Sequence, residues 1–135
     1  MKSKFFNVLA ISLILIIVFS NFAIALDGDK EIEPKTTYIS SHSESIVQGV
    51  LSSKVTATIY GNSSVTQVKI KMELQKLSSG SYSTIETWSQ TFTGRSGALQ
   101  ESKATNPLST YRLKVTFTAY TSSTSETRTV YAYDS

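Results

Sequence analysis

The segment Ser109–Thr121 reads SerThrTyrArgLeuLysValThrPheThrAlaTyrThr, and its apolar and polar side chains alternate almost without a break. The apolar side chains occupy every second position from Tyr111 to Ala119, and Arg112, Lys114 and threonines fill the positions between. Successive side chains of a β-strand point to opposite faces, so this pattern predicts a strand with one buried and one solvated face. A second layer has to cover five apolar side chains in a row, which predicts two packed sheets.

The same alternation recurs earlier in the chain, in Lys54–Tyr60 and in Val65–Leu77. Dense turn signals separate these strands, at Gly61–Ser64, Ser78–Ser81 and Asn106-Pro107. Tyr82–Phe92 differs, because its apolar residues fall in both phases of the alternation. That mixed phase predicts a β-bulge or an edge strand with both faces partly covered.

Three further segments complete the predicted strands, although their patterns are weaker. Ala98–Ala104 is weakly strand-like, and Glu126–Tyr133 forms the last strand. Thr36–Ser41 and Ser45–Leu51 fit one bent edge strand or a split first strand, and a helical turn around Ser43–Val50 is a further alternative. Seven or eight short strands at regular spacing, without a convincing helix, predict an all-β antiparallel sandwich or barrel.

The N-terminus has the three parts of a secretory signal peptide. Lys2 and Lys4 precede an apolar run from Phe5 to Phe19, and Ala23-Ile24-Ala25 supplies small residues for a peptidase. We therefore expect residues 1–25 to be a signal peptide, 26–35 a flexible leader, and 36–135 the β-sandwich domain. An uncleaved membrane anchor is the alternative, because Phe5–Ala25 is just long enough to span a bilayer.

Charge and cysteine content exclude several classes of function. Thirteen Lys and Arg face ten Asp and Glu, but without Lys2 and Lys4 the balance is eleven to ten, or +1. Such a balance does not predict nucleic-acid binding. The chain has no cysteine, which excludes disulfides, thiolate metal sites and a cysteine nucleophile. We expect no cofactor and no metal.

Tyr111–Phe117 resembles the penultimate strand of immunoglobulin-like and fibronectin-like sandwiches. In those folds a tyrosine near the start of the strand hydrogen-bonds backward to hold a corner, and Tyr111 follows a proline-containing turn as that role requires. The resemblance implies an immunoglobulin-like sandwich of about seven strands. Trp88 lies one strand later than the tryptophan of antibody domains, and the antibody disulfide is absent.

The chain as a whole is similar to a group of small secreted proteins of Gram-positive bacteria without an assigned activity. The similarity rests on Val68–Lys76, a Gly-aromatic turn at Gly80–Tyr82, Trp88 and the late strand Tyr111–Phe117. It implies export and a β-fold, and it implies no particular activity.

The sequence shows no recognisable catalytic motif. His42 is the only histidine and lies in a serine-rich segment that resembles a loop. A Ser–His arrangement needs an oxyanion site and an orienting acid, and this segment indicates neither a catalytic partner nor a pocket. The glutamates in the folded part fall in polar phases or near turns, which predicts solvated side chains; these are Glu73, Glu86, Glu101 and Glu126. We therefore expect no enzyme, and a hydrolase dependent on His42 or Glu101 is a weaker alternative.

A binding surface is predicted instead. If Val65–Leu77 pairs with Thr110–Thr121, four cations share one outer face and form a possible anionic-ligand patch; they are Lys69, Lys71, Arg112 and Lys114. Tyr120 and Tyr131 are candidates for aromatic contact with a sugar or a protein partner. An ordinary solvated face and cross-strand tyrosine pairs are the plainer interpretations.

These observations predict a non-enzymatic, secreted protein that acts as a binding or structural module at the cell envelope or in the medium. The expected partners are a cell-wall polymer or another envelope protein, with no nucleic acid, and with membrane contact only through the signal peptide before cleavage. The alternative hypothesis is a secreted antagonist, bacteriocin-like or toxin-like, that acts on neighbouring cells.

Overall fold

The computed structural model describes residues Thr37–Asp134, which form seven antiparallel strands in two sheets. The strands are β1 (Ile39–Gln48), β2 (Ser52–Gly61), β3 (Gln67–Ser78), β4 (Ser81–Thr93), β5 (Ser96–Ala104), β6 (Tyr111–Tyr120) and β7 (Ser125–Tyr133). No helix occurs in this part of the chain. The predicted signal peptide and leader, residues 1–35, lie outside the described residues.

The two sheets face each other as a sandwich. One has three strands in the order β1-β2-β5, and the other has four strands in the order β4-β3-β6-β7. The prediction of an all-β antiparallel sandwich of about seven strands is confirmed. The segments with the cleanest alternation became β2, β3 and β6, which are central strands. A central strand is flanked on both sides, so its inner face is fully covered by the opposite sheet.

The hydrophobic core lies between the sheets and is contributed mainly by these three strands. Its buried side chains on β2, β3 and β6 are Val55, Ala57, Ile59, Val68, Ile70, Met72, Leu74, Tyr111, Leu113, Val115, Phe117 and Ala119. Ile39, Ile46, Val65 and Leu99 extend the core, and Trp88, Phe92 and Val130 pack on its margin. Every second residue of β6 is buried, as the alternation in Tyr111–Ala119 predicts.

The segments in which apolar and polar residues alternate less clearly form the edge strands of the two sheets. Thr36–Leu51 contains one edge strand, β1, with a register irregularity between Ile39 and Ser41, so the single bent strand is the correct alternative and the helical turn is wrong. On β4 the register to β3 shifts between Leu74 and Gln75, which leaves Ile85 unpaired as a bulge. Both features predicted for Tyr82–Phe92, a bulge and an edge position, are therefore present.

Two local structures fix the connections at one end of the sandwich. Ser79 and Gly80 both have positive φ, 51° and 82°, which is the conformation of a two-residue type I′ turn between β3 and β4. Between β5 and β6, the backbone N–H of Asn106 donates a hydrogen bond to the hydroxyl oxygen of Tyr111 at 3.0 Å. This is the backward bond predicted for Tyr111, and it ties the start of β6 to the preceding turn.

Candidate functional site

The outer face of the four-stranded sheet is the surface on which the predicted cations meet. β3 pairs with β6 in a register that sets Lys69 opposite Thr118, Lys71 opposite Thr116, Glu73 opposite Lys114 and Gln75 opposite Arg112. The predicted pairing of the two strands is confirmed. Because outer positions alternate with buried ones on both strands, Lys69, Lys71, Arg112 and Lys114 all lie on the solvent side. We call this surface the cationic face.

Glu73 lies within the cationic face and offsets part of its charge. Its carboxylate is 3.6 Å from the Lys71 ammonium and 3.7 Å from that of Lys114, and only 14% of its side chain is exposed. The described strands place no other charged side chain on this face, so four cations and one carboxylate give it a net charge of +3. A field of one sign over a single face attracts anionic ligands.

Arg112 is the most constrained of the four cations. Its guanidinium lies 4.0 Å from the ring centroid of Tyr82 and 4.5 Å from that of Tyr131, so it is stacked between two aromatic rings. Its Nε donates to Oε1 of Gln75 at 2.7 Å, and Nε2 of Gln75 donates to Thr84 at 3.1 Å. This cluster spans all four strands of the sheet and holds the guanidinium in one orientation.

The terminal amino groups of Arg112 make no hydrogen bond within the described residues, because its one bond there uses Nε. A planar guanidinium with free amino groups matches the two oxygens of a phosphate or carboxylate. Lysine ammonium groups contribute charge without that directionality. Arg112 is therefore the side chain of the cationic face best prepared to orient an anion.

The two predicted aromatic contacts lie far apart. Tyr131 belongs to the Arg112 stack, whereas Tyr120 lies at the other end of β6, opposite Gln67 and Ser125. Eight residues of extended strand separate Arg112 from Tyr120, or about 26 Å. Tyr120 is instead a neighbour of Lys69. One ligand can contact both tyrosines only if it extends along the strand.

Hydroxyl groups surround the lysines on the cationic face. On the β6 and β7 side they form cross-strand pairs, Thr116 with Thr129 at 3.5 Å and Thr118 with Thr127 at 3.3 Å. On β4, Thr87, Ser89 and Thr91 lie opposite Glu73, Lys71 and Lys69. Hydroxyls both donate and accept hydrogen bonds, so they suit a ligand that is itself rich in hydroxyls and oxyanions.

His42 does not lie in a loop, as its serine-rich neighbourhood suggested; it lies on β1 and faces inward. Its ring is 5.1 Å from the ring of Phe117, and Nδ1 is 2.8 Å from a carboxylate oxygen of Glu44. Ser41 and Ser43 point the opposite way because side chains alternate along a strand. Among residues 37–134 no hydrogen bond joins His42 to a serine. The serine-rich composition concealed a strand that alternates between exposed serines and half-buried polar residues.

The prediction that the glutamates are simply solvated is wrong for Glu73 and Glu126, whereas Glu86 is solvated and ion-paired. Glu73 lies between two lysines, Glu86 is 2.8 Å from the Lys103 ammonium, and Glu126 accepts backbone N–H groups of Thr37, Tyr38 and Ile39. The Lys103 hydrogen bond and charge lower the pKa of Glu86. Alternation within one strand does not report most of these partners, since Lys114, Lys103 and Ile39 lie on other strands.

Gln75 and Tyr82 are the members of the Arg112 cluster that sequence reasoning missed. The sequence indicates Tyr82 only as the aromatic residue of the turn Gly80–Tyr82, at the start of a predicted strand. The hairpin turn at Ser79-Gly80 implies that Tyr82 pairs with Leu77, which places it near Gln75 and hence near Arg112 once β3 and β6 are paired. That register is the signal from which the cluster could have been found.

No protein-family model and no curated protein matches the chain. Within Thr37–Asp134 no group of three or more His, Asp or Glu side chains is arranged to hold a metal ion. The same part of the chain contains no helix that could cross a membrane.

Proposed function

We propose that the chain is a non-enzymatic secreted binding module of the cell envelope that recognises an anionic polymer, such as a phosphate-rich wall teichoic acid. The observation that carries the proposal is the cationic face, on which Lys69, Lys71, Arg112 and Lys114 are opposed, among the described residues, only by Glu73. A polyanion gains from several such contacts at once, and salt weakens all of them together.

The spacing of the cations suits an extended ligand better than a single ion. Lys69 and Arg112 lie six residues apart along the paired strands, or about 20 Å. Lys71 and Lys114 lie between them. An extended polyanion can follow this line, with one phosphate fixed by the guanidinium of Arg112 and others attracted by the lysines.

Two sequence features support a location outside the cytoplasm. Residues 1–25 have the layout of a signal peptide, and the chain has no cysteine whose redox state would have to be controlled after export. The expected resemblance to small secreted proteins of Gram-positive bacteria, which rests on the sequence pattern, is part of the same proposal. In this proposal the mature domain acts at the wall or in the medium.

An immunoglobulin-like classification belongs to the same proposal. It is supported by the 3+4 arrangement of strands, with the order β1-β2-β5 and β4-β3-β6-β7, and by the backward hydrogen bond at Tyr111. Sandwiches of this kind expose a whole sheet face on a rigid core. Such a face can hold a row of charges at fixed spacing.

Sedimentation with purified cell walls at low and high salt tests the proposal. We expect the mature domain to co-sediment at low salt and to be released at high salt. Lys69→Glu combined with Lys71→Glu changes the charge of the cationic face by −4, from +3 to −1, and should weaken retention by about tenfold or more, equivalent to about 1.4 kcal/mol.

The matched control carries the same charge change elsewhere. Lys54 is exposed on the three-stranded sheet and Arg95 is exposed in the β4–β5 connection, so Lys54→Glu with Arg95→Glu lowers the net charge equally. We expect the control to keep most of its retention. Absence of retention at any salt, or equal losses in both double variants, would remove the proposal.

Arg112→Lys separates the contribution of charge from that of geometry. The substitution keeps the positive charge but removes the planar group that stacks between Tyr82 and Tyr131. If a phosphate is oriented at this position, wall retention should fall several-fold although the net charge is unchanged. Retention equal to that of the wild type would assign binding to charge alone.

A further inference from the structure

The two ends of the sandwich differ in the side chains that their loops expose. At one end, the β1–β2 turn and the β5–β6 loop expose three large aliphatic side chains, Val50 (78%), Leu51 (79%) and Leu108 (93%). The third connection at this end, the Ser79-Gly80 turn between β3 and β4, is polar. We call this the apolar end. At the opposite end the connections are polar, and they are Asn62–Ser64, Gly94-Arg95 and Thr121–Thr124. Large aliphatic side chains clustered at exposed loop tips mark an interaction site.

Hydrogen bonds hold the two loops of the apolar end together. The Nε2 of Gln48 donates to the carbonyl oxygens of Asn106 and Ser109, at 3.1 and 3.2 Å. The N–H of Thr105 donates to the carbonyl oxygen of Leu51 at 3.1 Å. The exposed aliphatic side chains are therefore presented on a braced surface, and their exposure is not the result of a loose loop.

Charge is also distributed unequally between the two ends. Within the last three residues of each strand at the apolar end, every charged side chain is a cation; these are Lys54, Lys76, Lys103 and Arg112. The corresponding residues at the polar end contain one cation, Lys69, and one carboxylate, Glu126, and Arg95 in the β4–β5 connection brings the net charge of this end to +1. Near the cations, Glu86 pairs with Lys103, and Asp134 follows β7, so the apolar end keeps a net charge of +2 from four cations and two carboxylates.

The order of side chains along the sandwich axis matches the layers of a bilayer. The aliphatic side chains come first, and Tyr82 and Tyr133 follow at the strand ends together with the cations. Aliphatic groups favour the acyl region, tyrosines favour the interface, and Lys and Arg favour anionic headgroups. Lys54 is three residues from Leu51, which places its charge about 10 Å behind the tip, the depth of a headgroup layer.

From this order we infer that the apolar end docks on the surface of an anionic phospholipid bilayer, with Val50, Leu51 and Leu108 inserted between the headgroups. The site is distinct from the cationic face, except that Arg112 lies near both. A protein partner fits less well, because the protruding tips are aliphatic, whereas protein interfaces are anchored mainly by Trp, Tyr and Arg. The pocket between the two loops, lined by Gln48, Gly49, Val50, Pro107 and Asp134, contains no aromatic side chain. The inference assigns the mature domain a membrane contact that its sequence did not predict.

Co-sedimentation with lipid vesicles tests the inference. We expect the mature domain to bind vesicles of phosphatidylglycerol and phosphatidylcholine more tightly than vesicles of phosphatidylcholine alone. Leu51→Ser combined with Leu108→Ser should weaken binding by about tenfold or more, because each leucine contributes through burial of its side chain. Both side chains are exposed, so the variant should fold, which a melting curve verifies.

Ile85→Ser is the matched control, since Ile85 is a partly exposed aliphatic residue on the β4 edge, outside the two loops that carry Val50, Leu51 and Leu108. It should bind vesicles as the wild type does. The Lys69→Glu, Lys71→Glu variant should lose less vesicle binding than Leu51→Ser with Leu108→Ser does, although it loses wall retention, so the two proposals can fail separately.

Three results would overturn the inference. They are absence of binding to anionic vesicles, an equal loss in the Ile85→Ser control, and vesicle binding that survives Leu51→Ser with Leu108→Ser. A stable dimer in the absence of lipid that dissociates in the leucine variant would also overturn it, and would assign the apolar end to a second copy of the chain.

Discussion

The two open sides of the sandwich are closed by different chemistry. On one side the edge strands β1 and β7 face each other, and the Glu126 carboxylate accepts hydrogen bonds from the backbone N–H groups of Thr37, Tyr38 and Ile39. On the other side β4 faces β5, and the Phe92 ring packs against Gly97 while Lys103 pairs with Glu86. We call these the β1/β7 side and the β4/β5 side.

The difference shows how two sheets can be joined at their margins, where the apolar core ends. On the β1/β7 side, the Glu126 carboxylate accepts hydrogen bonds from three successive backbone N–H groups. It is needed because, where a chain enters a strand, the neighbouring strand does not supply an acceptor for every N–H group. On the β4/β5 side, the contact between the Phe92 ring and Gly97 contributes more to stability, and the exposed Lys103–Glu86 ion pair adds little. We therefore expect the β1/β7 side to depend on a single side chain and the β4/β5 side to depend on packing.

The largest effect should come from Glu126→Ala, which removes the carboxylate of the β1/β7 side. Three backbone donors lose a charged acceptor, and we expect the free energy of unfolding to fall by about 2 to 3 kcal/mol. That loss corresponds to a fall in melting temperature of about 10 °C. Urea unfolding measures the first quantity and calorimetry the second.

Glu126→Gln serves as the control, because it keeps one acceptor oxygen and the shape of the side chain. It should lose less stability than Glu126→Ala, and amide exchange should accelerate at Thr37, Tyr38 and Ile39 before other residues. Unchanged stability in both variants would show that water replaces the carboxylate and that the comparison between the two sides is wrong.

The second prediction concerns packing on the β4/β5 side. A Cβ atom added at Gly97 would lie 2.4 Å from Cδ2 of Phe92, so the ring or the β5 backbone has to move. We expect Gly97→Ala to lower the free energy of unfolding by about 1 to 3 kcal/mol, the usual cost of overpacking. Chemical denaturation measures it.

Combining Gly97→Ala with Phe92→Ala removes both the clash and the ring. If the ring causes the strain, the double variant should be no less stable than Phe92→Ala alone. If the stability losses of the two single variants add in the double variant, the destabilisation by Gly97→Ala does not come from its contact with the Phe92 ring.

The smallest effect should come from Lys103→Met, which removes the ion pair of the β4/β5 side. Lys103 lowers the pKa of Glu86 below its ordinary value of 4.5. A lowered pKa in the folded state stabilises the fold above the unfolded-state pKa, and this stabilisation disappears as the pH falls through the folded-state value. The variant should melt slightly below the wild type at pH 7, and the difference should vanish in acid.

High salt should also reduce the difference at pH 7, because the pair is exposed. A Lys103→Met variant that melts as far below the wild type as Glu126→Ala does would reverse the comparison. A difference that grows in acid would contradict the direction of the Glu86 pKa shift.

Particular residues show why some features were predictable and others were not. The alternation in Tyr111–Ala119 is a property of one strand, and it predicted the burial of Leu113, Val115 and Phe117 without knowledge of any partner strand. The stacking of Arg112 between Tyr82 and Tyr131 depends on three strands at once. No pattern within one strand can report it.

Prediction was weakest in the edge strands for the same physical reason. β1 is half exposed and rich in serine, so its phase was unclear, and the inward position of His42 was missed. The apolar end was missed as well. Val50, Leu51 and Leu108 belong to separate loops, and only the fold brings these loops to the same end.

The amino-acid sequence by itself determined that extended segments alternate in polarity and must pack in two layers, because the period of a strand is a local property of the backbone. It also determined which cations share a face, once two strands pair. The tertiary structure alone decided which of them is neutralised by Glu73, which is held between tyrosines, and where the aliphatic loop tips gather. Those features depend on register and on distances between strands remote in the chain, which local periodicity does not encode.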